Sequence, residues 1–310
     1  MAIPIYRRIC DSITDGALPA DFSLPDEGSD DSSLSFIPGA YDGICMYHLQ
    51  PEELDADGAR QMARALRCAS DGDYAAAHAL FAEWTKTHRA VSFATRLQRY
   101  VLSHTDVLDA DRVYHTAFSM AVSSDQPECV KVGLILLILF LSPDETVKEV
   151  VRRLGLYDEF TVFAVYNMLE WPDGNEEIFA LAQKVHGWGR IHAVDSLQPE
   201  TDLIRRWLLL EGAHNDVMPA YSALTCWQRS GAEEILAGSP SQEEFSAISF
   251  LIGALIDEGP VQGISALENA PQILERFLSL STDYHLTSED LEVILAVQRM
   301  MDQDSEVPLL

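Results

Sequence analysis

The stretch HGWGRIHAVDSL, residues 186–197, gathers two histidines, a tryptophan, an arginine and an aspartate between two glycines and an apolar end. His192 and Asp195 are three apart and share one face of a helix, the arrangement of a general base and the carboxylate that orients it. Arg190 would then hold an anion, and Trp188 would stand at the mouth of the pocket. The same spacing equally describes a histidine hydrogen-bonded to an aspartate on the surface of a structural helix, so no residue is assigned a catalytic role. Arg206, in LIRRWLLLEG, joins Trp188, Arg190, His192 and Asp195 as a candidate binding residue. It either faces a groove or pairs, like Arg205, with Glu200 or Asp202 on its own helix.

Other chemistries are excluded motif by motif. His186 and His192 are six apart across a glycine break, which is not the spacing of a zinc pair, and the chain contains no HExxH. GxSxG, GxxxxGKS and GxGxxG are also missing, which removes the serine-hydrolase, P-loop and dinucleotide-binding readings. The acidic run DEGSDD (26–31) lacks the alternating ligands, central glycine and terminal glutamate of a calcium loop. Cys226 has no histidine near it in sequence and reads as a core thiol. Neither a metal nor a cofactor is expected.

Charge narrows the partners. Twenty-one Lys plus Arg against 49 Asp plus Glu give a formal net charge of -28, which repels phosphate backbones and anionic lipid headgroups. Nucleic acid and membrane are therefore not expected, and a partner of matching chemistry is a basic protein or peptide. The longest apolar run, VGLILLILFL (132–141), is about half the length that spans a bilayer and reads as a buried helix. No secretory signal opens the chain, and five cysteines without a CxxC pair indicate reduced thiols, so a cytoplasmic location is expected.

What must position the candidate residues is a helical body. Residues 1–50, broken by Pro19, Pro25 and Pro38 and by several glycines, form an irregular segment. Within it SFIPGAYDGICMYHL predicts one or two short strands about a Pro38-Gly39 turn, with Phe36, Ile44 and Met46 folding back on the helices. Residues 51–310 make a helical domain. Met62, Ala65, Leu66 and Ala69 form one apolar stripe, and Ala77, Leu80, Phe81 and Trp84 another, on either side of a turn at Asp71-Gly72-Asp73. Asp73 is placed as the N-cap of the second helix. This hairpin resembles a tetratricopeptide unit over about 30 residues, with Gly72, Asp73 and Tyr74 at the turn and Ala77 and Phe81 at the helix contact. Trp84 departs from the small residue that family prefers.

A loose repeat follows. ETVKEVVRRLG (145–155), EEIFALAQKVHG (176–187) and ETDLIRRWLLLEG (200–212) each open with an acid, run apolar at helical spacing and end in glycine, and a second amphipathic stretch follows each. A fourth, degenerate copy begins at GAEEILAG (231–238). The glycines are read as left-handed caps, with Gly187 ending one helix and residues 190–197 forming the next. The period and polarity resemble irregular HEAT or armadillo repeats, and the resemblance implies an all-α solenoid of stacked antiparallel hairpins. Trp171, Trp188, Trp207 and Trp227 either wedge between those helices or line a concave face. The function that follows is a non-enzymatic scaffold offering a groove to a protein or peptide. The alternative is a small-ligand protein or enzyme with a pocket near residues 186–197, closed by the N-terminal segment.

Overall fold

The computed structural model describes residues 2–25, 36–49, 55–140 and 143–305. All regular secondary structure among them is helical, and the nearest approach to a sheet is an isolated bridge between Thr14 and Ala17. By its packing the chain divides into two compact units, Met1–Ala193 and Val194–Leu310.

In the first unit the helices are α1 (Ile5–Ser12), α2 (Ala40–His48), α3 (Ala56–Asp71), α4 (Tyr74–Trp84), α5 (Ala90–Ser103), α6 (Ala110–Ser123), α7 (Pro127–Leu137), α8 (Glu145–Gly155), α9 (Asp158–Met168) and α10 (Gly174–Ala182). The unit boundary falls inside α11 (Gly187–Ser196). Several of the chain's many acids have a local task here. Asp55, Asp73, Asp109 and Asp144 each accept a backbone N–H in the first turn of α3, α4, α6 and α8, satisfying a donor that the helix itself leaves open. The α3–α4 hairpin forms as its residues require: Gly72 takes φ +83, and Ala77, Phe81 and Trp84 are buried at the helix contact. At the centre lies α7, buried from Glu128 to Leu137 and packed on α4, α5, α6 and α9. This is the expected core helix, although Leu141, the last residue of the apolar run, lies outside the described residues, as does the acidic run 26–31.

The second unit holds α12 (Asp202–Leu210), α13 (Ala220–Ser230), α14 (Ala232–Ala237), α15 (Gln242–Ile256), α16 (Ala270–Leu280) and α17 (Ser288–Ser305). Its core stacks Phe245 on Phe277 and on Tyr284, with ring centroids 5.4 and 4.2 Å apart, and buries Cys226 and Trp227.

Two expectations are corrected. The short strands about Pro38-Gly39 are not seen: Gly39 takes φ +75 and residues 40–48 continue as α2. After the buried N-cap Gly39, α2 buries Ala40, Asp42 and Gly43, while Met46 is exposed. The repeat glycines, in turn, mostly serve close packing. Gly155 is the last residue of α8, where a β-carbon would lie 2.8 Å from that of Ala164 on α9. Gly212 faces the Cys226 sulfur at 2.6 Å in the same sense. Gly187 does have positive φ, but it opens α11; α10 has already ended at Ala182, and His186 is exposed between the two.

Candidate functional site

The residues around 186–197 are mostly buried, and their partners are built into the chain. In the first unit, the Trp188 ring lies against Gly43, so a β-carbon there would collide with it. Tyr47, one turn further along α2, stands 6.2 Å from Trp188 and 6.1 Å from His192, nearly parallel to the latter ring. His192 is 4% exposed, its Nε2 has no hydrogen-bond partner, and burial lowers its pKa to about 4. It is therefore neutral near pH 7. Arg190 turns back, donating from Nε to the carbonyls of Ala182 and Val185 at 3.3 and 3.2 Å, and so caps the end of α10.

The remaining two candidates belong to the second unit. Asp195 accepts a hydrogen bond from Thr225 Oγ1 at 3.0 Å. Arg206 is exposed and paired with Glu243 at 2.5 Å, while Arg205 pairs with Asp202 as its helix spacing predicts. The structure thus brings Trp188 and His192 together under α2 and gives Arg190, Asp195 and Arg206 separate partners.

Beside that seam is a charge cluster that the sequence reading did not single out. Lys131, in the middle of α7, is 1% exposed and has its ammonium 2.7 Å from Asp42 of α2, 2.9 Å from Glu128 and 2.5 Å from Glu159 of α9. Glu159 also accepts the Gly39 N–H at 2.7 Å, and Glu128 accepts the Ala90 N–H at 2.6 Å and meets Arg89 at 3.3 Å. Burial alone would lower the Lys131 pKa, yet Glu128, Asp42 and Glu159 together hold it well above its usual value. The group stays an ammonium and is not a nucleophile. For Asp42, burial outweighs the pull of Lys131, and its pKa is pushed up to about 6. Glu128 moves the other way: burial would raise it, but Lys131 and the Ala90 amide lower it. The available signal was a lysine three residues after a glutamate inside an otherwise apolar helix.

Comparison with protein families, curated proteins and solved structures finds no match. The chemistry must be argued from the residues themselves. Among the described residues no group of three or more His, Cys, Asp or Glu is arranged to hold a metal ion, and no helix is long and apolar enough to cross a membrane. A cavity of about 240 Å³ beside Ile13, Met168 and Lys184 has its arginines already engaged. There Arg152 grips Glu177 with two donors, at 2.9 and 2.6 Å, and Arg153 meets Glu149 at 2.6 Å.

Proposed function

We propose that this chain is a non-catalytic binding module, an irregular solenoid of helical hairpins akin to HEAT, armadillo and tetratricopeptide repeats, that recruits a basic protein or peptide in the cytoplasm. One observation carries most of the weight: Lys131, Lys148, Arg152 and Arg153 are each matched by carboxylates of the chain itself, while the buried Arg190 and the half-buried Arg229 and Arg276 donate to backbone carbonyls. With a formal charge of -28, what is left facing outward is a large excess of carboxylate. Such a field steers cationic partners and rejects anionic ones. The residues that a catalytic site near 186–197 would need are occupied in packing: His192 is neutral and sealed by Tyr47, and Arg190 closes α10. Five free cysteines accord with a reducing compartment.

The test is fluorescence anisotropy with peptides of matched length that are lysine-rich, neutral or acidic. The lysine-rich peptide alone should bind, and its affinity should fall as salt is raised. Binding that ignores peptide charge overturns the reading.

A further inference from the structure

In the second unit, α15 and α17 enclose with the start of α13 a cavity of about 550 Å³, within the range of small-ligand pockets. Its apolar lining is Met218, Pro219, Phe250, Ala254 and Val293. Asn215 fixes the Met218 wall by accepting the amides of Val217 and Met218 at 3.0 and 2.9 Å, and Phe250 is held by stacking on His214 at 4.1 Å. The polar lining has one sign: Asp257, Glu289, Asp290 and Glu292, with no lysine, arginine or histidine among the described lining residues.

Two of the polar residues are buried. Ser249, 1% exposed, is one of the lining residues, and its hydroxyl has no hydrogen-bond partner, an unusual state for a buried group in a folded core. Asp290, 4% exposed, uses Oδ2 to accept from the amide and the hydroxyl of Thr287, and faces no cation within ion-pair distance among the described residues. Asp257 sits at the C-cap of α15, where the last carbonyls of the helix add further negative potential. An acceptor-rich floor, an apolar wall and a carboxylate rim are complementary to a single chemistry.

We propose that this cavity binds a primary ammonium on an aliphatic stem, the stem against Met218, Phe250 and Val293 and the head toward Asp290 and Ser249. The ammonium comes either from a free amine or from a lysine of the basic partner, and only the second case rests on the function proposed above. An ammonium carries three donors and no acceptor, which suits a carboxylate and a hydroxyl together. Asp257, Glu289 and Glu292 raise the local concentration of cations at the entrance.

The experiment titrates the full chain with hexylamine, with hexanol of similar stem and no charge, and with a lysine-rich peptide, followed by calorimetry and by amide NMR shifts. Hexylamine should bind, hexanol at least tenfold more weakly, with shifts at residues 249–257 and 287–293. Asp290→Asn should weaken hexylamine about tenfold, as loss of one charge-assisted hydrogen bond requires. Ala254→Phe, which fills the cavity and leaves every charge in place, should abolish binding and guards against a folding defect in the first variant. Competition between peptide and hexylamine assigns the lysine source; hexylamine binding without competition assigns the free amine. Hexylamine that binds no better than hexanol, or that ignores both variants, overturns the proposal. Peptide binding that survives Ala254→Phe while hexylamine binding is lost assigns the free amine to the cavity and leaves the basic-partner reading standing, whereas a peptide that does not bind at all removes that reading.

Discussion

Two carboxylate-rich places in this molecule are built on opposite plans. At the α2 seam of the first unit, Asp42, Glu128 and Glu159 converge on Lys131, and the four groups close over one another. In the second unit, Asp257, Glu289, Asp290 and Glu292 line the α15–α17 cavity, and no ion pair to a cation of the chain is seen for them among the described residues. The difference is whether the chain supplies the cation. Where it does, the carboxylates tie together helices that are distant in sequence. Where it does not, they are left to recognise a cation from outside.

The strongest way to break the comparison is to remove the built-in cation. Lys131→Met leaves three carboxylates facing one another with Arg89, at the edge of Glu128, as their remaining counter-charge, and unfolding by denaturant should show a loss of about 3–5 kcal/mol. A loss below about 1 kcal/mol would mean that the seam holds without its ion pairs.

The next effect is a pH dependence. The folded His192 pKa of about 4 lies below its ordinary 6.5, so its neutral burial contributes fully above pH 6.5, and that contribution is lost as pH falls toward 4. Asp42 runs the opposite way: with a folded pKa of about 6 against 3.8, its ionisation costs stability as pH rises through that interval. His192→Phe, set against the rings of Tyr47 and Trp188, should therefore lose about 3 kcal/mol less than the parent chain between pH 6.5 and 4. An unchanged acid limb would place the titration elsewhere.

Smaller again is the effect of shape. Gly43→Ala puts a methyl group where the Trp188 ring lies, and should cost about 1–3 kcal/mol with a shift in tryptophan fluorescence. Smallest is neutralisation at the second unit's rim. Asp257→Asn and Glu292→Gln, both exposed, should each change stability by less than about 0.5 kcal/mol while weakening cation binding severalfold.

The parts that local chemistry decides were legible in the sequence. The α3–α4 hairpin follows from Gly72, Asp73 and two apolar stripes, and the burial of α7 from its composition. Residues 40–48 misled because Ile44 and Met46 alternate behind a Pro-Gly pair; only the fold shows that Gly39, Gly43 and Tyr47, each four apart, meet Trp188 and its neighbourhood on α11. Of the Lys131 cluster, Glu128 alone is a helix neighbour. Asp42 and Glu159 are 89 and 28 positions away, beyond any local pattern. Gly187 reads in the sequence as the cap that ends a helix, but in the fold it and Gly189 make room for the Asp158 carboxylate.

The most direct test sets place against total charge. Asp257→Asn, Glu289→Gln and Glu292→Gln in one variant, and Asp106→Asn, Glu170→Gln and Glu176→Gln in another, remove three exposed acids each, from the second and the first unit respectively. The affinity of hexylamine for both is then measured at one ionic strength. The account predicts a loss of about tenfold or more for the first variant and less than twofold for the second. Equal losses would contradict it, because cation binding would then follow net charge and owe nothing to the α15–α17 cavity.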